Sequence, residues 1–317
     1  MADTTEPVGV EEKAATTASE FWALLSPEKP LFRPPCELLY RGQADASWGL
    51  EPSIVRHPEK LLGVTGQDGM VASEMQVFKE WVYLKSFVDH CDSIGLKIPN
   101  DSPDFRDLYL NQNAPAGPGR AFIQTELWPD PKLYELLALA QHHGLPTRLL
   151  DWSLRSYVAA YFAISGALQI HQVRMDESKR LAVWVLDVTR KTLIPKLEVI
   201  RVPGSNSANV AAQAGVFTLL RQEGGRGAPF IGEIALDKYL AGVTYLSPRP
   251  IMKITLPVSE AKAALALCGL YGVTGATLFP DFYGAARGAQ DIMRTAWRLS
   301  EPDDQASENN DASRPGP

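Results

Sequence analysis

Apolar positions along this chain recur with two different periods, and each period predicts its own kind of element. Over residues 73–88, Met75, Phe78, Trp81, Val82 and Leu84 fall at roughly helical spacing, which predicts a helix with one buried face. Residues 131–141 open on Pro131 and set Leu133, Leu136, Leu137 and Ala140 on one side. This is a helix that Gly144-Leu145-Pro146 stops. Tyr157, Val158, Tyr161, Phe162 and Ser165 predict the next helix, with Asp151 or Ser153 as its cap. Residues 20–25 form a short helix ended by Ser26-Pro27, residues 259–270 an Ala/Leu helix, and residues 281–299 another. Continuous apolar runs at 181–188, 214–220 and 251–256 read as strands, as does the shorter 37–42, which ends at a glycine. Helices fill the first half and strands the second. The expected class is therefore α+β, helix-rich at first, with a mixed or antiparallel sheet in the C-terminal half, rather than a doubly wound parallel sheet.

Composition changes this picture only at the ends. Residues 1–18 are small, polar and acidic, and residues 300–317 are rich in Asp, Glu, Asn, Ser and Pro. Both bury too little apolar surface to offset ordering entropy and are expected to be disordered. Residues 19–299 then form one body, with core motifs at 37–165, further blocks at 181–287, and a Pro/Asn/Gly-rich loop or insert at 98–120. The net charge of −6 speaks against indiscriminate grip on phosphate backbones. Cys36, Cys91 and Cys268 are scattered and make neither a disulfide framework nor a zinc knuckle. No apolar run suits a leader or a bilayer span, so the expectation is a cytoplasmic protein without membrane association.

Four groups of residues carry chemistry. Tyr40-Arg41-Gly42-Gln43 puts an arginine beside a glycine at a strand end, where a planar guanidinium can pair with phosphate or carboxylate. The bland alternative is a surface arginine next to a turn. Residues 141–153, Gln-His-His-Gly-Leu-Pro-Thr-Arg-Leu-Leu-Asp-Trp-Ser, concentrate His142, His143, Arg148, Asp151, Trp152 and Ser153 in one turn between two apolar segments. Adjacent histidines point apart, so one can cap a helix C-terminus while the other faces a pocket. Arg148 and Asp151 admit two readings. They pair as a structural lock, or Arg148 holds phosphate while Asp151 orients a base or a ribose hydroxyl. Gln213, ahead of Val216-Phe217, can bond a ribose or an amide, or is simply a polar strand edge. In Leu278-Phe279-Pro280-Asp281, capping of the following helix is the expected role of Asp281. No zinc spacing and no Gly-x-Ser-x-Gly elbow occurs.

Tyr40-Arg41-Gly42-Gln43 with Trp48 and Pro52-Ser53, the 141–153 block and Ala159-Ala160-Tyr161-Phe162-Ala163 together resemble the FRG domain. The blocks at 213–218 and 278–281 are similar to its downstream elements, so the resemblance spans roughly residues 37–287. A weaker resemblance links the order of these blocks to ADP-ribosyltransferases. It implies an ADP-ribosyltransferase-like fold and NAD as substrate, with no metal. Arg41 would meet the diphosphate, and the Gly42 backbone would hold nicotinamide with Tyr40, Gln43 and Trp152 nearby. Ser153 would shape the pocket, and Gln213 would stand where that superfamily has its catalytic Glu. Since an amide replaces a carboxylate poorly, Asp151, Glu233 or Asp281 would have to serve, with His142 or His143 as base. The target would be a macromolecule, protein or nucleic acid, in a toxin or phage-defence setting. Two alternatives stand beside this: a non-catalytic nucleotide- or nucleic-acid-binding module, and a nuclease or other hydrolase using the paired histidines.

Overall fold

A computed structural model describes residues 10–296 apart from 29–30, 33–34, 57–71, 113–117, 171–177, 223, 229 and 231–234. Among the described residues seven strands form one sheet: β1 (Glu11–Ala14), β2 (Leu38–Gln43), β3 (Leu150–Ser153), β4 (Arg180–Asp187), β5 (Leu197–Ile200), β6 (Gly215–Leu220) and β7 (Ile251–Pro257). Their order is β1-β7-β4-β2-β3-β6-β5. Every neighbouring pair is antiparallel except β1 with β7. The helices are α1 (Ala18–Leu24), α2 (Ser53–Arg56), α3 (Ser73–Ser93), α4 (Pro103–Tyr109), α5 (Gly119–Ile123) and α6 (Tyr134–His142), followed by α7 (Ser156–Ile170), α8 (Ala208–Ala212), α9 (Leu236–Ala241), α10 (Ala261–Leu270), α11 (Gly275–Leu278) and α12 (Phe282–Ala296). The expected α+β class with a mixed sheet is what the chain adopts.

Three differences from expectation have identifiable causes. Glu11–Ala14 pairs with β7 as an edge strand instead of belonging to a disordered tail, because ladder bonds need only backbone. Residues 1–9 and 300–317, also expected to be disordered, lie outside the described residues. The 98–120 stretch is not all loop: Ser102 accepts the Phe105 N–H and Pro103 occupies the first turn, so α4 forms within it. Leu150–Ser153 is a strand and not part of a turn, since β6 supplies its ladder partners.

One helix decides where the site lies. α7 is apolar on nearly all sides and buried, with Val158, Ala159, Ala160, Tyr161, Ala163 and Ile164 all inside the core. It lies across β2, and the approach is close because Gly42 has no side chain. A Cβ there would stand 2.0 Å from the Ala159 carbonyl oxygen and 2.6 Å from the Ala163 nitrogen. Gly42 thus has a packing role that the sequence reading, which gave it to a ligand, did not anticipate. Gly42→Ala is expected to cost about 3 kcal/mol of stability by overpacking. Urea denaturation checks this, and an unchanged midpoint would refute it.

Candidate functional site

β2 pairs with β4 over six residues but with β3 at one position only, Tyr40 opposite Ser153. The sheet therefore divides into β1-β7-β4-β2 and β3-β6-β5, hinged at that pair. Beyond the hinge the strands part, and Arg41 spans the opening. Its Nη1 donates to the Asp151 carbonyl oxygen at 2.8 Å and to Asp151 Oδ1 at 2.5 Å. A side chain here does the work of missing ladder bonds.

A cavity of about 250 Å³ occupies the opening. Tyr40, Arg41, Gly42, His142, Asp151, Trp152, Ser153 and Gln213, all singled out in the sequence, line it together. The remaining wall comes from α6 and α7, through Gln141 and Phe162, and from Phe217 and Phe279. The Phe162 and Phe279 rings meet edge to face, 6.0 Å apart. A second cavity of about 360 Å³ adjoins the first, sharing Arg41, Gln141 and Asp151 and adding Ser53 and Arg56.

Asp151 lines both cavities. Its side chain keeps 66% of its surface accessible, whereas Arg41 is only 9% exposed. The carboxylate is ringed by protein yet open into the cavity. The crowding of protein around it would raise its pKa. The Arg41 charge and hydrogen bond outweigh this, with help from Arg56, and hold the group below the usual carboxylate range. Gln141 orients it further. The Gln141 Oε1 accepts from the Thr147 hydroxyl, which turns the amide nitrogen toward Asp151 Oδ1 at 3.4 Å. Arg41 Nε is buried and has no hydrogen-bond partner among the described residues.

The helix that delivers Gln141 and His142 ends in a Schellman motif. Gly144 takes a φ of 92°, its N–H bonds the Gln141 carbonyl at 3.0 Å, and the Leu145 N–H bonds the Ala140 carbonyl at 3.0 Å. The Gly-Leu-Pro signal therefore sets both the helix end and the position of His142. His142 faces the cavity, and its Nε2 lies 2.6 Å from Asn209 Nδ2. His143 is the exposed C-cap residue, with its ring edge to face against His142 at 5.2 Å, and lies off the cavity lining. Burial lowers the pKa of His142 and the neighbouring His143 adds to this, against a smaller opposing pull from Asp281. The unfolded chain, with an ordinary value of about 6.5, then binds a proton that the folded chain refuses. The stability contributed by neutral His142 is complete above that value and is lost as pH falls below it. Proton NMR is expected to place the His142 midpoint below 6.5, and to show it rising in His143→Ala; a midpoint at or above the ordinary value would contradict the geometry.

Several assignments move. Arg148 pairs with Glu80, not Asp151: Nε and Nη2 donate to its two oxygens at 2.6 and 2.7 Å, both side chains being buried. Trp128 Nε1 and Gln76 Nε2 complete that carboxylate's shell. Arg148 is thus a lock between α3 and the 141–153 block, away from the cavity. Gln43 is buried too, bonding the Gly49 carbonyl and Trp184 Nε1, and is likewise absent from the lining. Ser153 reaches the cavity, but its hydroxyl donates to the Gln213 carbonyl at 2.7 Å and accepts the Arg155 N–H at 2.9 Å. Trp152 Nε1 donates to Thr218 on the far side. Gln213 caps α8 rather than starting a strand, and its amide donates to the Leu278 carbonyl at 3.1 Å. Ala214, at φ 48°, makes the sharp turn from there into β6. Asp281 accepts the Gly284 N–H and starts α12, as expected. Glu233 lies outside the described residues. Sequence reasoning missed Gln141, Arg56 and the aromatic pair Phe162–Phe279. Three of these four stood inside quoted motifs, but nothing local showed that they converge.

The family described as FRG domain matches residues 117–172. That stretch holds α5, α6, β3 and α7, including the 141–153 block, and excludes Arg41, Gln213 and Phe279. No curated protein and no solved structure matches the chain. No described helix is long and apolar enough to cross a membrane. Among the described residues no three His, Cys, Asp or Glu side chains gather as a metal site.

Proposed function

We propose that the cleft between β2 and β3 binds NAD and transfers ADP-ribose to a macromolecular acceptor. The observation that carries this reading is Asp151: a carboxylate kept ionised by Arg41, open to an aromatic-walled cavity, with a histidine on the same wall. In such a transfer the bond from ribose C1′ to nicotinamide nitrogen breaks, and nicotinamide leaves with the bonding pair. The sugar becomes oxocarbenium-like, and a fixed anion beside it stabilises the developing positive charge. Asp151 supplies the charge that Gln213 lacks. The acceptor then attacks C1′, and neutral His142 takes the acceptor proton once its Nε2 exchanges Asn209 for the acceptor.

The cavity is smaller than the roughly 300–1,000 Å³ of a whole-ligand pocket, so it suits the nicotinamide end. The diphosphate then runs across Arg41 into the adjoining cavity toward Arg56 and Ser53. Phe162 and Phe279 offer the apolar faces a nicotinamide ring needs.

A second reading has an observation of its own. Arg41 neutralises much of the Asp151 charge, and the Ser153 hydroxyl has its proton committed to the Gln213 carbonyl and accepts the Arg155 N–H. Both favour a pocket that recognises a nucleotide without turning it over. Incubating the full chain with NAD and following free nicotinamide by NMR separates the two. Release favours the transferase, calorimetric binding without release favours the module, and neither release nor binding removes NAD from consideration. The paired-histidine hydrolase has less support, since only His142 lines the cavity.

A further inference from the structure

Helix α12 presents its apolar face to solvent and its polar face to the protein. Asp291 points inward, accepting from the Tyr161 hydroxyl at 2.7 Å and the Gly275 N–H at 3.1 Å. Arg287 donates to Ser165 and lies over the rings of Phe279, Tyr283 and Tyr161. Gly284 lets the helix rest on Phe279, whose carbonyl oxygen would stand 1.7 Å from a Cβ there. The outward side carries Phe282 (96% exposed), Tyr283, Ala285, Ala286, Ala289, Ile292 (67%) and Met293 (69%), with Gln290 at its flank beside Tyr283. Positions 282, 285, 286, 289, 292 and 293 follow the 3–4 spacing of a helix-packing seam. A solvated apolar stripe of this kind marks an interaction site.

We propose that this face is the two-fold interface of a homodimer, with α12 of one copy packed antiparallel on α12 of the other about Ala289. The order of side-chain sizes supports a second copy as the occupant. Antiparallel register about Ala289 sets Met293 over Ala285 of the other copy, Ile292 over Ala286, and Ala289 on itself, so each large side chain meets a small one. Phe282 then covers the last turn of the opposite helix. Parallel pairing would stack Met293 on Met293 and leave gaps between alanines. The antiparallel arrangement also brings Asp281 and the helix N-terminus beside the C-terminal turn of the other copy, which carries Arg294. The exposed side chains amount to roughly 600 Å² per copy, against about 800 Å² in a standard stable interface.

Sedimentation of the full chain over a dilution series tests this independently of any activity. A monomer–dimer equilibrium is expected. In Ala289→Glu, like charges meet at the two-fold axis, and the dissociation constant should rise on the order of 100-fold or more. Because Ala289 is exposed, the far-UV spectrum and thermal midpoint of the diluted monomer should not change. In Ala289→Cys, an intermolecular disulfide should form on removing reductant, with the wild-type chain as control for Cys36. A wild-type chain that stays monomeric overturns the proposal and gives the face to a different protein. A dimer that neither loses affinity in Ala289→Glu nor cross-links in Ala289→Cys overturns it equally, because the interface then lies elsewhere.

Discussion

Asp151→Asn is expected to lower the rate of nicotinamide release on the order of 10³-fold while leaving the fold in place. The substitution keeps the shape and the backbone carbonyl that Arg41 also bonds, and removes only the charge. Asp151 is largely exposed to the cavity and Asn keeps an acceptor for Arg41, so the substitution should cost only about 1 kcal/mol of stability after solvent screening. A charge that acts on the transition state should reduce kcat far more than it changes KM for NAD. If the variant keeps the wild-type rate, another acid carries the reaction and the assignment of Asp151 fails. The ionised state of Asp151 also predicts how activity responds to acid. Its carboxyl lies below the ordinary range, so nicotinamide release, the step that needs the anion, is complete at neutral pH and falls as pH drops through that lowered value, whereas transfer to the acceptor is lost earlier, as His142 takes up a proton.

Glu80→Ala is expected to cost about 3–5 kcal/mol of folding stability, because it leaves Arg148 buried and unpaired. The loss includes the hydrogen bonds from Trp128 and Gln76 to the same carboxylate. The double variant Glu80→Leu with Arg148→Met should recover much of the loss, since no charge then stays buried. Urea midpoints at constant m-value measure both. The pair also tests what Arg148 is for. If Arg148 held a ligand phosphate, the double variant would lose ligand affinity even where stability returns. The geometry predicts that affinity follows stability instead.

Much of the site was legible because its signals are local. The Gly-Leu-Pro turn, the helical spacing of Tyr157 to Ser165 and the Asp281 cap each depend on residues within a few positions of one another, and each forms as read. The same holds for the long apolar strands β4 and β7. Glu11–Ala14 and Leu150–Ser153 were not read as strands because their side chains carry no strand pattern; their conformation comes from distant ladder partners. Arg148 was given two local readings, yet its partner lies 68 residues earlier on another helix. Gln213 was placed by its order along the chain, and a tight turn at Ala214 moved it to a helix cap.

By itself, then, the amino-acid order determined which segments coil, where they stop, and that His142, Asp151 and Ser153 share one short block. Those outcomes follow from backbone propensity, capping and periodicity, which act over a few residues. Only the tertiary structure decided that the sheet opens between β2 and β3, that Arg41 bridges the gap to Asp151, that Arg148 turns away to Glu80, and that α12 shows its apolar side to solvent. Each of those depends on which distant surfaces meet, and the energy of such a meeting belongs to pairs of segments that no single stretch of sequence contains.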